Sequence, residues 1–178
     1  MNSTNANVTI REVTTELELE RSAHLIRESF ATVAAEFGIT PENWPRYSGF
    51  VTLKSLKEQD KPCERQYGLF SGEIQVGFAA VSGPDEDGTC WLRRVAVLPE
   101  ARRKGYGEKL VDFAVAEARR RGATKLRFGV LDANERLKAW YENLGFRVTH
   151  VVKPPDMAWS ICLMEKDIGP EGPESWKP

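Results

Sequence analysis

The chain has no run of about 18 apolar residues, so no membrane-spanning helix is expected. Cysteine is scarce: Cys63, Cys90 and Cys162 are far apart and odd in number. That argues against a disulfide framework or a Cys-x-x-Cys metal site, and predicts three reduced thiols in strands of a cytoplasmic protein. Only two histidines are present, and they and the cysteines never fall at ligand spacing, so no metal site is expected. Residues Met1 to Asn7 are polar and contain no apolar stretch, which argues against a secretory signal and predicts a flexible leader. No internal repeat or low-complexity block is present.

What remains is a chain of 178 residues, 41% apolar and 29% charged, with a formal net charge of -1. These values describe a globular protein of single-domain length. Such a chain buries about two-thirds of its unfolded surface. Charge is nevertheless uneven. From Arg93 to Arg127 there are 11 Lys/Arg against four acids, Glu100, Glu108, Asp112 and Glu117. A basic stripe can bind nucleic acid, but no aromatic residues alternate with these arginines as a base-stacking platform requires. No nucleic-acid partner is expected. Arg119-Arg120-Arg121 reads as a solvated helix face.

Periodicity orders the elements. Val8 to Val13 alternates as a strand does. Thr15 with Glu18 forms a capping box for an amphipathic helix whose buried side would carry Leu17, Ala23, Leu25, Ile26, Phe30 and Val33. Gly38 can end it. Thr40-Pro41-Glu42 predicts a short second helix limited by Pro45. A third helix is expected over residues 48–58, closed by polar Glu58 to Pro62. Arg65 to Phe70 and Ile74 to Val81 form a hairpin about Ser71-Gly72-Glu73. Thr89 to Val97 follows after an exposed turn at Gly83 to Gly88. Helical spacing of Leu110, Val111, Ala114, Val115 and Ala118 predicts a helix over 108–121, ended by Gly122. Then come a strand, Lys125 to Leu131, a helix, Asn134 to Leu144, and strands Arg147 to Val152 and Met157 to Met164. The Pro/Gly-rich tail from Gly169 to Pro178 reads as disordered. The strand-helix-strand unit over 89–131 requires a right-handed crossover and a parallel pair. The expectation is one mixed-sheet α/β domain over residues 8–168.

The most informative stretch is Val95-Ala-Val-Leu-Pro-Glu-Ala-Arg-Arg-Lys-Gly-Tyr-Gly107. A strand runs into a proline turn, a basic triplet, two glycines and a helix. Gly105 and Gly107 lack a Cβ, so backbone N–H groups can approach a ligand closely. The helix start adds unpaired N–H groups and a positive dipole end. Arg102, Arg103 and Lys104 add positive charge. Together these make a pyrophosphate cradle.

This order resembles the acyl-CoA signature of the GNAT N-acetyltransferase superfamily, Arg/Gln-x-x-Gly-x-Gly/Ala, here Arg102-Arg103-Lys104-Gly105-Tyr106-Gly107. A second match follows at Asn134, Tyr141 seven residues later, and Gly145-Phe146. The resemblance covers roughly residues 66–165. It implies a mixed, mostly antiparallel sheet flanked by helices, with a splayed central parallel strand pair. It implies acetyl-CoA as cofactor, with pantetheine pairing to free backbone groups of Val95, Ala96 and Val97, and its phosphates on residues 102–107. One N–H there would polarise the thioester carbonyl. The acceptor would be a small-molecule or peptide amine, entering beside the N-terminal helices and the 153–157 loop. GNAT domains are often dimers, so a homodimer is among the expected partners.

Asn134 has two compatible roles, as helix N-cap or as hydrogen-bond partner of the cofactor. Tyr141, two turns on, shares its face and is either a core aromatic or the general acid for the departing thiolate. Trp140 points about 100° away and is expected in the core. Many GNAT enzymes carry a basic Glu on the strand before the glycine loop, whereas this strand has Arg93 and Arg94 and no carboxylate. Candidates elsewhere are Glu36, Glu42, His24, His150 and Asp156, and none is singled out. Arg93 and Arg94 should alternate in direction, so that one could face the acceptor and favour a carboxylate or phosphate. No cysteine has an activated setting, so direct attack on the thioester is expected. Rival readings are a CoA sensor without turnover, and a transferase using another thioester or a tRNA donor.

Overall fold

A computed structural model describes residues 7–58, 63–155 and 157–169. The expectations for most of the leader, for the closure of the third helix by residues 59–62, for Asp156 and for the tail beyond Gly169 fall outside the described residues. The strands are β1 (Val8–Glu12), β2 (Arg65–Ser71), β3 (Ile74–Ser82), β4 (Thr89–Val97), β5 (Lys125–Leu131), β6 (Arg147–Val152) and β7 (Ile161–Asp167). The helices are α1 (Glu16–Phe37), α2 (Leu53–Glu58), α3 (Tyr106–Arg120) and α4 (Glu135–Asn143). The sheet order is β1-β2-β3-β4-β5-β7-β6. It is mostly antiparallel, with β4 and β5 as the parallel pair. Their ladder comprises Thr89↔Lys125, Cys90↔Leu126 and Trp91↔Arg127. The mixed α/β architecture is the one the sequence pattern implies.

The described residues divide into two compact units, one up to Ala80 with Arg93–Phe113, the other Val81–Leu92 with the residues from Ala114 onward. In the first, α1 begins at the expected capping box. Thr15 Oγ1 accepts from the Glu18 N–H, and the Glu18 carboxylate accepts from the Thr15 N–H. Gly38 ends the helix at φ +66°. Its buried face carries Leu19, Ala23, Leu25 and Ile26, which pack with Phe70 and Phe78. Leu17 lies 56% exposed instead, on the side of the helix opposite that stripe.

Two helix expectations fail for local reasons. Residues 40–47 form turns, because Thr40 and Asn43 bond each other's backbone N–H groups and Pro45 cannot extend a helix. The helix expected over 48–58 is broken. A 3-10 turn at Ser48–Phe50 is followed by α2, restarted where Thr52 Oγ1 accepts from the Ser55 N–H.

In the second unit, Ala114, Val115 and Ala118 of α3 are buried as expected. The Arg119-Arg120-Arg121 run is not simply a solvated face. Arg120 and Arg121 both reach the buried Glu117 carboxylate, Arg121 also donates to the Val81 carbonyl, and Arg119 donates to the Ile168 carbonyl. β7 starts at Ile161 and not at Met157. Its register on β5, from Lys125↔Asp167 to Leu131↔Ile161, fixes both of its ends. Cys90 and Cys162 are buried in strands, whereas Cys63 is exposed and outside any strand.

Candidate functional site

The basic glycine loop lies in the first unit. Past β4, Pro99–Ala101 makes a 3-10 turn, and the chain then passes through two left-handed residues, Arg103 at φ +63° and Gly105 at φ +77°. Left-handed residues in a loop turn backbone N–H groups into a concavity suited to an anion. α3 starts at once, its first internal bond running from the Lys109 N–H to the Gly105 carbonyl. The N–H groups of the preceding turn therefore have no acceptor within the helix. A Cβ added at Gly105 would meet nothing within 4 Å, so the loop opens onto free space there. Arg103 and Lys104 are exposed and make no hydrogen bond or ion pair among the described residues. The concavity, the helix end and two free cations fit a pyrophosphate.

The rest of the motif is tied into the protein. Arg102 donates to the carbonyls of Val97 and Ser29 and to Thr32 Oγ1, so its side chain braces the loop against α1. Tyr106 reaches Ser71 Oγ at 3.4 Å, and Gly107 is the second residue of α3. The backbone of Val97 is not free as expected: its N–H donates to Ser29 Oγ and its carbonyl accepts from Arg102, both at 3.3 Å. Both contacts are long for N–H···O bonds. Val95 and Ala96 precede it on β4, with Ala96 buried.

In the second unit, Asn134 caps α4, its Oδ1 accepting from the Leu137 N–H at 3.1 Å. The amide NH2 end of Asn134 is not used by the cap. Tyr141 is buried beside Phe128 and Phe146, with ring centroids 4.1 and 5.8 Å away. Its hydroxyl has no hydrogen-bond partner among the described residues. Burial pushes its pKa well above the ordinary phenol value, so the group holds its proton. Trp140 is half-buried, not a core residue as its position suggested.

The structure also assembles a group that spacing did not predict. Arg94 has φ +53°, a left-handed conformation that costs an arginine about 1 kcal/mol. It breaks the alternation of β4, so Arg93 and Arg94 do not point to opposite faces. Both approach one carboxylate, Glu64, which is 4% exposed. Arg93 Nε lies 3.8 Å from Glu64 Oε2 and Arg94 Nη1 lies 3.9 Å from Oε1. Burial pulls the Arg94 pKa below its ordinary value, partly offset by Glu64. The candidate bases among the described residues, none of them singled out, are not buried. Glu36, Glu42, His24 and His150 are all exposed, with His24 3.6 Å from Glu28 and His150 beside Thr149. The Thr40 hydroxyl holds the Glu42 carboxyl below its usual range.

Among the described residues no cluster of His, Cys, Asp and Glu could hold a metal ion, and no helix is long and apolar enough to cross a membrane. The sequence profile of the acetyltransferase (GNAT) family matches residues 26–146, a span that holds the loop, Asn134 and Tyr141. The chain belongs to the GNAT acetyltransferase family. None of the curated proteins searched matches it. Solved structures agree with the GNAT fold. The ribosomal-protein-S18-alanine N-acetyltransferase of Escherichia coli superposes with a TM-score of 0.72 at 19% identity, over 96% of this chain and 100% of that one. The PaiA N-acetyltransferase of Thermoplasma acidophilum, in complex with coenzyme A, gives 0.72 at 21% identity, over 90% and 99%. An aminoglycoside 6'-N-acetyltransferase complexed with coenzyme A gives 0.68 at 18% identity, over 93% and 99%.

Proposed function

We propose that this GNAT protein is an N-acetyltransferase that passes the acetyl group of acetyl-CoA to an amine of a small molecule or peptide, by direct attack on the thioester. The observation that carries this reading is the loop itself. Left-handed Arg103 and Gly105 open onto the start of α3, with Arg103 and Lys104 unpaired beside them. Residues 102–107 would take the phosphates, by backbone N–H groups and by the side chains of Arg103 and Lys104. Arg102 would keep the loop in place. Val95 to Val97 would offer backbone groups to the pantetheine amides, which could replace the two long contacts of Val97. The NH2 group of Asn134 would donate to the cofactor.

Bound acetyl-CoA supplies an activated acyl group as a thioester. Tyr141 holds a proton at Oη and would release it as the thiolate departs. The acceptor must be uncharged at nitrogen to attack, and water can remove its proton as well as a side chain can. The exposed positions of the candidate bases favour one rival, a coenzyme A sensor without turnover, and measured turnover separates the two.

Gly105→Val tests the cradle. Valine at φ +77° strains the loop, and its branch would stand in the open space where phosphate is proposed to sit. Calorimetry on folded variant should show acetyl-CoA affinity lowered by about tenfold or more, ~1.4 kcal/mol at least. Unchanged affinity would place the cofactor elsewhere.

A further inference from the structure

Ser29 lies on α1, is 7% exposed and has no part in the steps above. Its Oγ accepts from the Val97 N–H at 3.3 Å. Among the described residues the Ser29 hydroxyl has no other partner. The other backbone group of Val97 is engaged in the same way, its carbonyl accepting from Arg102 Nε at 3.3 Å. The next N–H along the chain, that of Leu98, donates to the Val76 carbonyl of β3 at 2.9 Å. The long contacts thus fall on Val97, and both come from side chains. A side chain can rotate away from a backbone group, whereas a ladder bond breaks only if a strand moves. Arg102 is built for such an exchange. Its Nη2 donates to the Ser29 carbonyl at 2.8 Å and to Thr32 Oγ1 at 3.1 Å. The loop therefore stays fastened to α1 if Nε gives up Val97.

We propose that Ser29 is a positioning residue that stands in for a pantetheine carbonyl at the Val97 N–H and sets cofactor affinity by competing with it. This rests on the acetyl-CoA reading above. One N–H cannot serve Ser29 Oγ and a second acceptor at full strength, so binding must displace the hydroxyl. A half-buried N–H without a partner is costly. Ser29 removes that cost before the cofactor arrives, so the cofactor gains less by supplying its own carbonyl. Apparent affinity falls with the share of molecules in which the competing contact is made. Ser29 is consequently a brake on cofactor binding, carried by the helix to which Arg102 fastens the loop.

The test is calorimetry of the full-length protein and of Ser29→Ala with two probes, acetyl-CoA and the phospho-ADP part of coenzyme A alone, which lacks pantetheine. Alanine suits a helix interior and is smaller than serine, so α1 should form in the variant. The proposal expects Ser29→Ala to bind acetyl-CoA about threefold or more tightly than the parent, with phospho-ADP affinity unchanged. Equal or weaker acetyl-CoA binding by the variant would overturn it. A parallel gain for both probes would overturn it too, because Ser29 would then act on the loop that takes the phosphates and not on Val97. Amide NMR supplies a reading that does not depend on the variant. In the parent, acetyl-CoA should shift the Val97 amide resonance well beyond any effect of phospho-ADP, and equal shifts would overturn the proposal. If the parent binds neither probe, the acetyl-CoA reading fails and the proposal with it. If the parent binds acetyl-CoA and the variant binds it no better, that reading stands and the role of Ser29 alone falls.

Discussion

At Tyr141 the whole functional question rests on one oxygen. The ring packs against Phe128 and Phe146 whether or not the hydroxyl is there, and the hydroxyl bonds to no described protein group. Tyr141→Phe should therefore leave thermal stability close to that of the parent. Stopped-assay kinetics should show kcat lowered about 100-fold, the scale of a lost general acid, with little change in acetyl-CoA affinity. A variant with parental kcat would make Tyr141 a core aromatic only. The left-handed Gly105, the cap at Asn134 and the buried ring of Tyr141 were legible in the sequence because local spacing determines them. A glycine can take positive φ, an asparagine can cap, and residues seven apart share a helix face. Arg94 was not legible, because a left-handed arginine has no signature in the chain. Glu64 became visible only once that backbone turn brought both arginines to it. Arg102 was legible as part of a motif, but not as the brace that fastens the loop to α1.

Among the elements, α1 allows a direct electrostatic test. The Arg11 guanidinium, 2.5 Å from the Glu18 carboxylate, holds its pKa down to about 2, helped by the Thr15 and Thr14 N–H groups. A carboxyl depressed in the folded state adds stability above its unfolded pKa and loses it as pH falls. Denaturant titration of the parent and of Glu18→Gln should show a stability gap that is full near neutral pH. The gap should close between about pH 4.5 and pH 2. A gap independent of pH would remove the charge from the account of this cap. Elements were readable where cap, stripe and stop agreed, as in α1, α3, β5 and β6. They were misread where side chains competed for the backbone. Thr40 with Asn43, and Thr52 with Ser55, end or restart the chain within residues 40–58 in ways that hydrophobic period does not record. The start of β7 was misplaced because its limits come from β5 and not from its own composition.

For the molecule as a whole, the mixed sheet with its one parallel pair and the family membership were within reach of the sequence, since the strand-helix-strand unit, the glycine loop and the Asn134 to Phe146 stretch are contiguous segments. The acceptor was not, because no contiguous motif of the chain specifies it. The central claim is the proposed turnover, argued from the glycine loop of the first unit and from the protonated Tyr141 of the second. The most direct measurement follows free thiol released from acetyl-CoA by the purified protein across a panel of amines and amino acids, with acetylated product quantified by mass spectrometry. The account predicts thiol and acetylated amine in equal amounts, at a rate that rises with pH as the acceptor ammonium loses its proton. Tight acetyl-CoA binding with no acetylated product from any acceptor would contradict it.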